Sequence, residues 1–184
     1  AAAAMRESIT LQRELAQGDA HNVQLQFDLA ASLQGLGSLQ FEQGDIAAAA
    51  RSIRESLDLY TAGMEASPAS KEQWFNIAQT RAWQGRIAMA QARPAEGIAA
   101  FRSALEIYAR PGVSDRKAQD PFEVMSWLAD ALLQQGGGAP RAEARRLYQQ
   151  ARDGLAPLAA APDASKMLTA LFVDVERKLG SVSR

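Results

Sequence analysis

The sequence predicts an all-α protein built as a solenoid of antiparallel helix hairpins, about eight helices in all. Three observations lead there. Apolar residues recur every three to four positions along most of the chain, the period of one helix face. No segment alternates with period two over strand length, and β-branched residues are sparse. Finally, one long stretch occurs twice. Phe27-Asp28-Leu29-Ala30 returns as Phe75-Asn76-Ile77-Ala78, and Gly37, Ile53, Leu57, Leu59 and Tyr60 return as Gly85, Phe101, Leu105, Ile107 and Tyr108, all at an offset of 48. Repetition on this scale marks supersecondary units stacked on copies of themselves.

The elements follow in order. Residues 5–17 read as a helix ending at Gly18-Asp19. Its Arg6-Glu7-Ser8-Ile9-Thr10-Leu11 lies 48 positions before Arg54-Glu55-Ser56-Leu57-Asp58-Leu59, so it resembles the second half of an earlier repeat. From Asn22, a cap former, Leu25, Leu29, Leu33 and Leu36 make the stripe of a helix running to Gln43. Gly44-Asp45 is its stop. A helix over Ile46 to Ala62 follows, with Ala49, Ala50, Ile53, Leu57 and Tyr60 inward. Gly63 and Ser67-Pro68-Ala69-Ser70 form the link onward. Ser70 with Gln73 fits a capping box. Trp74, Ile77, Ala78, Arg81, Gly85, Ala88 and Met89 continue at helical spacing. Pro94 suits the first turn of the next helix, which carries Ile98, Phe101, Leu105 and Tyr108.

Residues 110–120 form a polar connection longer than the usual link between helices, expected as a solvated loop, with a lid or contact loop as the alternative. Pro121-Phe122 opens a helix bearing Val124, Met125, Leu128 and Leu132, broken by Gly136-Gly137-Gly138. Pro140 opens its partner, with Ala144, Leu147, Tyr148, Ala151 and Leu155. Beyond Pro157 and Pro162 a last helix runs from Asp163, its expected N-cap, to Leu179. Met167, Leu168, Leu171, Phe172 and Val175 are expected inward, and Asp174, Glu176, Arg177 and Lys178 on an outer polar face. The predicted units are a half-repeat helix at 5–20, repeats at 22–65, 70–110 and 120–158, and a C-terminal capping helix at 163–180, together one domain.

Bulk properties bound the chemistry. The apolar fraction of 47% is that of a chain with a core. A formal charge of −1, from 20 basic and 21 acidic residues, gives no reason to expect nucleic acid or an anionic membrane as partner. The absence of cysteine excludes disulfides, zinc-thiolate sites and cysteine nucleophiles. It fits a cytoplasmic location, with the periplasm also compatible. No run reaches the length of a membrane span. Ala1 to Ala4 before Met5 are unlike a secretory signal or a normal translation start, so a processed or excised N-terminus is expected.

Catalytic groupings are missing. His21 is the one histidine and is read as a loop residue, with no serine in a nucleophile-elbow context to partner it. The acids lie singly among basic residues, without metal-ligand spacing. Gly136-Gly137-Gly138-Ala139-Pro140-Arg141 precedes a helix but lacks the ending of a phosphate-binding loop. Trp74 fits a core position. Trp83 falls on another face, suited either to packing between repeats or to a surface contact, and Trp127 is equally open. The residues therefore lead to no enzyme, metal or cofactor.

Leu33, Leu36-Gly37, Phe41, Gly44-Asp45, Ala49, Ile53 and Ser56-Leu57, with Trp74, Phe101 and Ala104-Leu105 in the second copy, resemble a tetratricopeptide repeat over roughly residues 22–157. The family's period is about 34 residues; here it is 48, with the excess in the first helices and the connections. Residues 11–15, with 19–22 and 25–32, are similar to long-period tetratricopeptide regions that follow the kinase or signalling domain of large bacterial proteins. The resemblance implies a right-handed superhelix with a concave groove lined by the first helix of each pair. It implies a scaffold that binds a protein or peptide partner, as part of a larger regulatory protein. Groove positions carried over are Gln34, Ser38, Phe41, Gln79, Ala82, Arg86 and Met89, with Asn76 and Trp83 added because the first helix is longer. The family's carboxylate clamp is not expected, because Gln34 and Ala82 stand where its donors are wanted. The alternative expectation is self-association through the end helices, with Ile9, Leu11 and Leu15 as an uncovered apolar face.

Overall fold

Each predicted hairpin forms, and the caps explain most of the boundaries. The computed structural model describes residues 2–19, 22–66 and 68–182. His21, Ser67 and Ala1 lie outside the described residues. Eight α-helices and no strand occur among the described residues: α1 (Ala2–Gly18), α2 (Val23–Glu42), α3 (Ile46–Ala66), α4 (Lys71–Ala90), α5 (Pro94–Tyr108), α6 (Asp120–Gln135), α7 (Gly138–Ala159) and α8 (Lys166–Val182). Asn22 caps α2 by accepting from the Leu25 amide at 3.4 Å. Gly44, at φ 82°, makes the turn that only glycine enters freely. Asp45 then caps α3, its carboxylate accepting from the Ala48 amide at 2.9 Å. Ser70 and Gln73 form the full capping box at α4, and Pro94 sits in the first turn of α5.

Consecutive helices pack most closely as α2 with α3, α4 with α5, and α6 with α7; these antiparallel hairpins then stack in chain order as a solenoid-like array. Small residues let the helices of a hairpin cross closely. A Cβ on Gly37 would lie 2.8 Å from the Ile53 side chain, and one on Gly85 would overlap the Phe101 ring. Ser56 is fully buried and donates to the Ala30 carbonyl at 2.7 Å. Its counterparts one and two repeats on, Ala104 and Ala151, are also fully buried. Equivalent residues have equivalent neighbours: Phe27 packs on Tyr60 at 5.9 Å between ring centroids, and Phe75 on Tyr108 at 6.0 Å. The third hairpin differs in detail. Tyr148 stands at the position of Ile53 and Phe101, and its hydroxyl donates to Asp130 at 2.5 Å. One continuous apolar core, from Phe27 through Phe101 to Tyr148, joins all three hairpins.

The ends depart from the sequence reading. Ile9 is buried against Leu29, Leu33 and Leu36, so only Leu11 and Leu15 of the expected uncovered face are exposed. The connection after α5 is not simply solvated. It holds a 3-10 turn, and its Val113 is 2% exposed and anchored in the core. Pro157 lies inside the last turn of α7 rather than ending it. The cap of α8 is Ser165, whose hydroxyl accepts from the Leu168 amide at 3.1 Å, because Ala161 to Ala164 first close a turn. On α8 itself, Met167 is exposed and Lys178 turns inward, its ammonium donating to Asp130 at 2.8 Å. Trp74 packs against the core but is only half-buried, with the Arg110 guanidinium 3.7 Å above its ring.

Candidate functional site

The first helices of the three hairpins, α2, α4 and α6, touch along one face of the array. The long hydrophobic spacing of α4 places Trp83 and Arg86 one turn apart on that face. Phe41 projects from the end of α2 and Trp127 from the middle of α6. The four meet. The Arg86 guanidinium carbon lies 4.7 Å from the centre of the Phe41 ring, 4.5 Å from that of Trp83 and 4.8 Å from that of Trp127. Phe41 and Trp83 also meet edge to face at 5.7 Å. Each cation–π contact contributes about 0.5–2 kcal/mol, more as the cation is desolvated. Burial lowers the Arg86 pKa from its ordinary value, opposed by the charges of Glu123 and Glu42. Arginine is the one cation that stays charged in such a place and stacks flat on rings.

Two hollows flank this box. One is lined by Phe41, Arg86, Met89, Phe101 and Trp127, with Asp130 and Gln134 at its margin. The other, of about 190 Å³, lies between α4, α6 and the start of α8. Its walls are Trp83, Trp127, Leu168 and Leu171, and Asp120 and Glu123 reach it from the first turn of α6. Acids are favoured there by the α6 dipole. Gln79 donates to Asp120 at 3.0 Å. Burial pushes the Asp120 carboxyl above its ordinary range, and the Gln79 bond and Lys117 oppose the rise. Burial also raises Glu123; Asp120 adds to the rise, and Arg86 and Lys117 reduce it.

The structure brings Phe41, Gln79, Ala82, Trp83, Arg86 and Met89 to these two hollows. Ala82 does so as a buried floor, 3% exposed, rather than a reachable contact. The other three expected positions lie apart. Ser38 is half-buried and donates to the Gly35 carbonyl of its own helix at 2.9 Å. Gln34 is half-buried and lines neither hollow. Asn76 is half-buried and lines neither hollow. Sequence reasoning missed Asp120, Glu123, Tyr108, Leu168 and Leu171. The available signal was an acid pair at i, i+3 opening a helix after an overlong connection.

Among the described residues, no group of three or more His, Asp or Glu could hold a metal ion, and no helix is long and apolar enough to cross a membrane. No protein-family model matches this chain, and no curated protein matches it.

Proposed function

We propose that the chain is a tetratricopeptide-like, non-enzymatic interaction module that binds an extended or helical segment of another protein along the face formed by α2, α4 and α6. The observation that carries this reading is the aromatic box around Arg86. Three rings and one cation from three successive hairpins converge on a surface that is half open, between two hollows each suited to a side chain. Aromatic residues and arginine are the residue types that dominate binding energy in protein interfaces. The hollow beside α8, of about 190 Å³, is smaller than the roughly 300–1,000 Å³ typical of small-molecule sites, and the other, of about 380 Å³, is at the low end of that range. The raised carboxyls are the feature that would favour a catalytic reading; among the described residues no group of three or more His, Asp or Glu that could hold a metal accompanies them. The parent is proposed to be a larger bacterial regulatory protein, as the long-period resemblance implies.

The test is capture of a partner by the isolated chain, then by Arg86→Glu and Trp83→Ala. Both variants are expected to weaken capture about tenfold or more, as truncated interface anchors do, while keeping the helical circular dichroism of the parent. Unchanged capture by both would remove this face as the docking surface.

A second reading, self-association, is favoured by Leu11 and Leu15 of α1, which are 57% and 59% exposed. Light scattering at high concentration decides it. A dimer dispersed by Leu15→Glu supports it, and a strict monomer counts against it.

A further inference from the structure

We propose that the hollow between α4, α6 and α8 takes a single lysine or arginine side chain of the bound segment, with Glu123 as its counter-charge and the indoles of Trp83 and Trp127 as its walls. The inference deepens the docking reading above and rests on it.

Four observations support the assignment. The hollow is long-side-chain sized and mostly apolar along its walls, which suits an aliphatic stem ending in a charge. Its two anionic groups come from one helical turn, and they differ in state. Asp120 already accepts from Gln79, whereas Glu123 has no hydrogen bond or ion pair within reach among the described residues. The cations nearby do not fill that role. Arg86 is held against three rings, and Lys117, an exposed residue on the lining, lowers the Glu123 pKa by its charge without forming an ion pair with it. Finally, two indoles are among the lining residues, and an aromatic face attracts a cation and repels an anion. A half-buried carboxylate beside aromatic faces is complementary to ammonium or guanidinium, and a charge-assisted bond is stronger there than in water.

Charge linkage follows. The groups that face Glu123 are Asp120 on α6, Arg86 on α4, Lys117 in the connection and Tyr108 on α5; the part of α8 lining the hollow brings none. A bound cation favours the ionised carboxylate. Affinity therefore rises as pH climbs through the folded-state pKa of Glu123, which lies above the ordinary value.

The experiment titrates the intact chain with N-acetylarginine amide and N-acetyllysine amide, following the indole N–H signals by NMR. N-acetylcitrulline amide, which has nearly the shape of the arginine probe without its charge, is the control. Saturable shifts of the Trp83 and Trp127 signals, with Trp74 unmoved, are expected for the charged probes, and the control is expected to bind at least about tenfold more weakly. Glu123→Gln should remove the preference for charge, and Lys117→Ala should leave binding equal or tighter. Equal binding of the citrulline probe, no saturable shift, or full affinity in Glu123→Gln overturns the proposal. Such a failure alongside capture that still depends on Arg86 and Trp83 would leave the docking face standing and remove only this occupant.

Discussion

Two glycines two positions apart on α2 show how local contact decides the sign of a substitution. At Gly35 an added methyl would meet only the tip of Met5, at an ordinary 3.6 Å. At Gly37 it would lie 2.8 Å from two carbons of Ile53 and 3.4 Å from the Ala49 carbonyl. Alanine is worth up to about 1 kcal/mol over glycine inside a helix, and overpacking a fitted crossing costs about 1–3 kcal/mol. Gly35→Ala is therefore expected to stabilise by roughly 0.5–1 kcal/mol, and Gly37→Ala to destabilise by about 1–2 kcal/mol after the propensity gain. Urea unfolding at fixed pH separates them. Glu123 makes the second case at this scale. Its pKa is raised on folding, so the native state binds its proton more tightly than the unfolded chain. The resulting cost is present in full above the folded pKa and vanishes as pH falls to the ordinary value of 4.5. Glu123→Gln should raise Tm at pH 7, and the gain should shrink on acidification towards that value. A gain that grows in acid would contradict the assignment. Gly37 was legible as a crossing residue because it repeats as Gly85. Glu123 was not, since the strain on a carboxylate depends on neighbours that three other elements bring to it.

The helix least well read from sequence was α8, and the reason is a competition between local signals. Asp163 and Ser165 are both cap formers, and both precede an apolar run. The turn closed by the Ala164 amide on the Ala161 carbonyl, at 3.0 Å, delays the helix and gives the cap to Ser165. That delay leaves Met167 exposed and sets Lys178 facing α6. Lys178 then bridges Asp130, at 2.8 Å, and Asp174, at 3.0 Å. Burial works against its charge, but the bonds to Asp130 and Asp174 leave its pKa raised on balance. Its contribution is therefore held below its ordinary pKa and lost as pH rises through the folded value. Asp130 also accepts the hydroxyl of Tyr148, a residue 1% exposed. Asp130→Ala leaves the Tyr148 hydroxyl without its acceptor and takes one of two carboxylates from Lys178, and is expected to cost about 1–3 kcal/mol. Tyr148→Phe removes a donor together with its need and should cost less, about 0.5–1.5 kcal/mol. Equal losses in the two variants, measured by denaturant unfolding, would mean that Asp130 does not organise the α6–α7–α8 junction.

At the scale of the whole molecule, the 48-residue recurrence made the array legible, because burial at the crossings demands the same small and aromatic residues each time. The docking face was only partly legible for the same reason. Phe41 and Trp83 are 42 positions apart and Trp83 and Trp127 are 44 apart, so the box is built from positions that do not repeat. Features that break a period leave no mark in a search for periodicity. The box nevertheless has a consequence for stability along the array. In a stacked solenoid each unit is held by its neighbours, so interior units open last. Helices α4 and α5 have packed neighbours on both sides, whereas α1 packs chiefly on α2, and α8 chiefly on α7. Amide hydrogen exchange should therefore be slowest in α4 to α6 and fastest in α1. Arg86 adds a tie across that gradient, since its guanidinium touches rings from α2, α4 and α6 together. Arg86→Met keeps much of the apolar stem and removes the cation. It is expected to speed exchange in α2 and in the first half of α6, with α7 and α8 little changed, because the lost contacts join the first helices of successive hairpins and not the helices within one. Exchange that accelerates uniformly would instead describe one cooperative block, in which the box has no directional role.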